Sequence, residues 1–153
     1  MADNNSTVQF KADISQLKAS MQEAARQVRL ANSEFKAATA GMNDWASSAD
    51  GLTAKIKQLD SVLSAQKSQL ASLEKQYELV SEEQGENSKG AEELKVKINN
   101  QKAAIANTEK QLDNYENELK DCENGTATLS LIKSAKWATM SATQLSIMMI
   151  YAF

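Results

Sequence analysis

The chain has no histidine, no proline and a single cysteine, Cys122. Without histidine it cannot form a Ser-His-Asp triad or a His-containing zinc site, and one thiol supplies neither an internal disulfide nor a multi-cysteine metal cluster. Aromatic residues make up 5% of the 153 positions and glycines number five, so the large flat side chains and turn formers of a sheet protein are scarce. What remains is rich in Ala, Gln, Lys, Glu and Leu, the residues that cost least in a helix. The expected fold class is all-α, built from long helices, and the length is about one domain's worth on a prior of ~100–200 residues per domain.

Neither sign of charge dominates: 17 Lys and Arg stand against 20 Asp and Glu, interspersed along the chain, for a formal net charge of −3. With no basic block to neutralise phosphates, nucleic acid is not an expected partner. The opening MADNNSTVQFKAD lacks the charged-then-apolar layout of a signal peptide, so a protein made in the cytoplasm is expected. The lone cysteine suits that compartment.

Residues 1–40 read as an amphipathic helix. Phe10, Ile14, Leu17, Met21, Ala24, Val28, Ala31 and Phe35 alternate by four and three, which keeps one apolar stripe on one face. Asp13 with Gln16 resembles a capping box that would start it, and Gly41 is expected to stop it, since the residue past a helix end commonly takes positive φ. Residues 41–51, GMNDWASSADG, read as a connector whose Trp45 tucks onto a helix.

Residues 52–123 carry the clearest pattern. Leu52, Ile56, Leu59, Leu63, Gln66, Leu70, Leu73, Tyr77 and Val80 hold an unbroken four-three spacing, the seam of a coiled coil. Ala91, Leu94, Ile98, Gln101, Ile105, Thr108, Leu112, Tyr115, Leu119 and Cys122 repeat it. Sequence recurs as well as pattern: QKSQLASLEKQYE from Gln66 matches QKAAIANTEKQLD from Gln101, an offset of 35 residues or five heptads.

Because the offset is a multiple of seven, one uninterrupted helix and a folded hairpin both satisfy the phase. GENSKG, with Gly85 and Gly90 inside six positions, favours a turn over residues 85–90, since each Gly costs a helix about 1 kcal/mol relative to Ala. An antiparallel coiled-coil hairpin turning there would pair seam residues whose numbers add to 178: Leu59 with Leu119, Leu63 with Tyr115, Leu73 with Ile105 and Val80 with Ile98. On its flanks Lys67 would meet Glu109, Glu74 would meet Lys102 and Glu83 would meet Lys97, against one clash of Asp60 with Glu116. Self-association through the coiled coil is the other arrangement this seam allows.

Other motifs lack the chemistry they mimic. Gly85 and Gly90 open like a phosphate-binding loop, but Ala91 and Glu92 stand where a Lys and a Ser or Thr should follow. The acidic pairs Glu82–Glu83 and Glu92–Glu93 read as solvated helix faces, and Cys122 as a small apolar seam residue. Gln66, Gln101 and Thr108 are polar seam positions of the kind that set register. We expect no catalytic residue, no cofactor and no metal ligand, and hence no enzyme.

Residues 124–153 form an apolar tail without heptads. After Gly125 only Lys133 and Lys136 carry charge, and Met140, Met148 and Met149 crowd towards the end. The segment 137–153 is apolar enough to contact a membrane, yet its 17 residues fall short of the ~20 needed to span one. A change of reading frame or gene boundary would produce the same abrupt shift, and that is the expectation preferred here.

Over residues 8 to about 123 the chain resembles the N-terminal region of the tail tape measure proteins of long-tailed bacteriophages and prophages. The resemblance lies in VQFKADISQLKASMQEA, the connector with Trp45 and ADGL, AKIKQLDSVLSAQKSQLASLEKQYELV, the turn EEQGENSKGAEEL, and INNQKAAIANTEKQLDNYENEL, in that order. It implies a helical structural protein that helps set tail length inside the tail tube. By the same resemblance its partners are the tube protein and assembly chaperones, and its location is the bacterial host cytoplasm and then the virion tail. Intact members are far longer, so the resemblance implies an N-terminal fragment or a truncated or frameshifted copy. A free-standing coiled-coil adaptor, or a helical protein that associates with membranes through its C-terminal tail, are the alternatives.

Overall fold

A computed structural model describes the backbone of residues 3–150 and the side chains of residues 14–125. Three long helices follow in order: α1 (Asp3–Thr39), α2 (Ala49–Gln84) and α3 (Lys89–Ile150), with one 3-10 turn, Trp45–Ser47, between the first two. No strand occurs among the described residues, and the fold is all-α. α2 is the shared element, packed against α1 and against α3.

α1 begins at Asp3, well before the expected capping box at Asp13. Nothing from Asp3 to Asp13 interrupts a helix, since the segment has neither Gly nor Pro. Its apolar stripe faces inward as the spacing predicts: Ala24 and Ala31 are buried, and Ile14, Leu17, Met21, Val28 and Phe35 are half-buried. Phe10 lies outside the described side chains. Arg26 clamps Glu23 one turn back with two bonds of 2.8 and 2.6 Å, and Lys36 stands in the last turn, where a cation complements the helix dipole. Gly41 does not end the helix by positive φ, because Gly85 is the one described residue with that geometry. Instead the Met42 N–H turns back to the Thr39 carbonyl at 3.0 Å.

The connector is shorter than the sequence suggests. Ser48 caps α2, its hydroxyl accepting from the Gly51 N–H at 3.1 Å and its carbonyl from the Leu52 N–H at 2.9 Å. Asp50 follows in the first turn, where an acid is favourable. Gly51 therefore belongs to the helix, not to the loop.

The hairpin between α2 and α3 forms, with its turn over residues 85–88. Gly85 takes φ 90° and gives its N–H to the Ser81 carbonyl at 2.9 Å, which closes α2. Ser88 opens α3 by accepting the Ala91 N–H on its hydroxyl at 3.3 Å and the Glu92 N–H on its carbonyl at 3.0 Å. Gly90, expected in the turn, lies in the first turn of α3.

That earlier capping corrects the register. A turn centred before residue 89 draws α3 back along α2 by about one heptad, so facing numbers add to about 170 and not 178. Position 90 lies against Val80, the Lys95 ammonium sits over the Tyr77 ring, Gln101 bonds to Gln66 and Gln69, and Lys55 lies over Tyr115. Leu73, Val80, Ala91, Leu94 and Ile98 form one buried cluster beside the turn. α3 continues unbroken past Gly125 to Ile150. The loss of heptads there does not end the helix, because Ala, Ser, Met and Leu still support one.

Candidate interaction site along the helical hairpin

Every seam residue expected from the spacing is removed from solvent at least in part. Leu52, Leu59, Leu73, Val80, Leu94, Ile98 and Ile105 are buried, while Ile56, Leu63, Leu70, Tyr77, Leu112, Tyr115 and Leu119 are half-buried. Ala91 is fully covered at 0% exposure, which lets α3 approach α2 closely beside the turn. Burial of such side chains, about 25 cal/mol per Å² of apolar surface, is the main force holding the hairpin.

A polar layer interrupts this seam at mid-length. The Gln101 side-chain amide donates to the Gln66 backbone carbonyl at 3.0 Å and to Gln69 Oε1 at 3.1 Å. Gln66 Oε1 is buried and finds no hydrogen-bond partner among the described residues. Thr108, 6% exposed, satisfies its hydroxyl on the Ala104 carbonyl of its own helix at 3.0 Å. Two of the three expected flanking ion pairs form, Lys67 with Glu109 at 3.0 Å and Glu74 with Lys102 at 3.1 Å. Glu83 and Lys97 form none, since the corrected register carries them apart along the axis.

Sequence reasoning missed the second face of α2. Ala65 is 0% and Ser72 6% exposed although neither lies on the seam. They belong to a parallel stripe, Ala54, Gln58, Ser61, Ala65, Ser68 and Ser72, spaced by four and three like the seam but made of small and amide residues. α1 packs there: Ser72 donates to the Ser20 hydroxyl at 3.1 Å, Gln58 to the Asn32 side-chain carbonyl, and Gln76 points its amide at Met21 Sδ at 3.4 Å. Small side chains bring two helix backbones close, so contact is made without large apolar groups. The spacing was available as a signal; the hydropathy was not.

Trp45 does tuck onto helices. Its ring meets Phe35 of α1 edge-on with centroids 5.1 Å apart and Tyr115 of α3 at 5.9 Å. Lys55 of α2 lies 5.0 Å from the Phe35 centroid and 5.8 Å from that of Tyr115. Burial pushes the Lys55 ammonium below the usual lysine range, while both rings favour its charged form. Near the turn, Lys95 is raised by its hydrogen bond to Tyr77.

Open grooves run beside α1 and α2, past Leu30, Glu34, Asp60 and Ser64, and along the acidic surface of Glu74, Glu78, Glu82 and Glu86. Among the described residues no group of three or more Cys, Asp and Glu is placed to hold a metal ion, and no helix is long and apolar enough to cross a membrane. The expected membrane contact through residues 137–153 lies outside the described side chains. What the arrangement offers chemically is helix surface for helix surface. No protein-family model, curated protein or solved structure matches the chain.

Proposed function

We propose that the chain is a structural helical module of the tape measure type, acting in phage tail assembly with tube protein and assembly chaperones. The supporting observation is the combination of three long helices with a sequence match that recurs at an offset of five whole heptads. A helix advances about 1.5 Å per residue, so such a chain converts residue count into distance, and α3 with its 62 residues amounts to ~93 Å. The ordered resemblance over residues 8 to about 123 supplies the link to tails. The test is to delete one repeat unit, residues 66–100, and measure tails of particles assembled with the shortened chain by electron microscopy. Shorter tails, by up to ~52 Å if the unit is laid out as a single helix, support the role; unchanged length refutes it.

A free-standing coiled-coil adaptor is the second reading, favoured by large apolar side chains on outer helix faces, Leu30 at 50% and Val96 at 59% exposure. Purified tube protein separates the two. A tape measure changes the length of tubes that polymerise in its presence, and an adaptor leaves it unchanged.

A further inference from the structure

Only Gly85, Glu86, Asn87 and Ser88 separate α2 from α3, and the heptad phase runs through them without a slip. Gln84 falls on the seam position that follows Val80, and Asn87 on the one that precedes Ala91. The register of the hairpin sets Val80 against position 90 and Tyr77 under the Lys95 ammonium. One more layer in this register would put position 84 opposite position 87. Within one chain that layer cannot exist, because both residues are needed to make the reversal. Between two chains it can.

We infer that the hairpin exchanges with a domain-swapped dimer of this chain, in which residues 85–88 become helical. α2 and α3 of each copy then form one rod, and two rods lie antiparallel with α2 of each on α3 of the other. Every hairpin contact is reproduced between copies: Lys67 with Glu109, Glu74 with Lys102, Gln101 with Gln66 and Gln69, and Trp45 with Tyr115. Two layers are added at the centre, Gln84 of each copy against Asn87 of the other. Both side chains are exposed in the hairpin, and both carry an amide that donates and accepts, so they form a self-complementary polar layer across a two-fold axis. α1 stays on its own α2, to which the connector ties it.

The turn resists opening through few interactions. Gly85 at φ 90° accepts a helical conformation at no steric cost, and the bonds to Ser81 and from Ala91 and Glu92 are replaced by ordinary helical ones. The dimer loses the free translation of one molecule, so its share rises with concentration. This inference is independent of the role in tails proposed above.

The experiment uses the full chain with Lys67→Cys, Glu109→Cys and Cys122→Ser, spin-labelled at 67 and 109. In the monomer the two labels of one chain are close. In the dimer they stand ~63 Å apart along the rod, and a short distance survives only between chains, so it vanishes from the dimer fraction when labelled protein is mixed with a large excess of unlabelled. Gly85→Ala with Asn87→Leu strains the turn and supplies an apolar seam residue. It is expected to lower the dimer dissociation constant at least tenfold by light scattering. Inserting two glycines after Glu86 lengthens the loop but breaks the rod's phase, and is expected to give a monomer of unchanged helicity at every concentration. A dimer that keeps the short distance within each chain overturns the proposal, as does a Gly85→Ala/Asn87→Leu variant that stays folded and monomeric. Should that variant lose its helicity, the glycine insertion still decides: a dimer that survives the broken phase overturns it.

Discussion

Trp45 in the connector and Tyr115 on α3 stand with ring centroids 5.9 Å apart, although the whole of α2 and the distant Gly85–Ser88 turn lie between them in the chain. The same indole meets Phe35 at the end of α1, and Lys55 of α2 lies over both Phe35 and Tyr115. Four side chains thereby clamp all three helices at the connector end, as the Gly85–Ser88 turn clamps α2 to α3 at the other.

Replacing Trp45 with Ala is expected to lower the unfolding free energy by about 2 kcal/mol, below the ~3–5 kcal/mol of a fully buried aromatic because the indole is half-buried. Tyr115→Ala should cost a similar amount. In a double-mutant cycle by urea denaturation the two should couple by about 1 kcal/mol, the scale of an aromatic pair. Strictly additive losses would mean that the rings are neighbours without being partners.

Gly51 is the most constrained glycine. A Cβ there would lie 2.1 Å from the Trp45 carbonyl oxygen and 2.7 Å from its carbon, and both are backbone atoms with little room to yield. Gly51→Ala gains about 1 kcal/mol of helix propensity, yet is expected to destabilise by about 2 kcal/mol net, since overpacking in a close backbone crossing is at the costly end of its range. Thermal unfolding should show the lower midpoint, and Trp45 fluorescence should show the displaced 3-10 turn even at low temperature.

The seam was legible because Leu, Ile and Tyr at four-three spacing mark a face by hydropathy alone. The α1 face of α2 was not, although Ala54, Ser61, Ala65 and Ser72 keep the same spacing, because small residues bury by letting backbones approach and leave little trace in hydropathy. Register was ambiguous for a different reason: heptad phase repeats every seven residues, so two alignments one heptad apart look alike. The flanking pairs Lys67–Glu109 and Glu74–Lys102 did not separate them, since long side chains reach diagonally between successive layers. The choice rests on Ser88, whose cap starts α3 before Gly90, and a glycine-based reading of the turn overlooks it.

The two interhelical ion pairs are half-exposed, with side-chain exposures of 56% and 47% for Lys67 and Glu109. Each is expected to contribute about 0.5 kcal/mol in low salt and less as salt screens it. Lys67→Glu should cost about 1 kcal/mol by setting two acids together, and the added change Glu109→Lys should restore most of it. Urea midpoints at low and high ionic strength check both statements. A reversal that restores nothing would show that these charges do not meet in solution.

The Gln66 layer carries the opposite sign of effect. Its Oε1 is buried without a hydrogen-bond partner among the described residues, and the bond that Gln101 makes to residue 66 goes to the backbone carbonyl, which any side chain at that position leaves in place. Gln66→Leu therefore removes an unsatisfied acceptor, keeps the Gln101 bond and adds an apolar side chain to the seam. A buried unpaired acceptor costs about 1–3 kcal/mol, and part of that returns as fitting strain, so a gain of about 1 kcal/mol in unfolding free energy is expected, read as a higher midpoint in urea with an unchanged slope. Gln101→Leu should do the reverse, because it strips a donor from both the Gln66 carbonyl and Gln69 Oε1. If the two substitutions stabilise equally, the polar layer is an unfavourable insertion in the seam and not a directed set of bonds, and its part in fixing register falls with it.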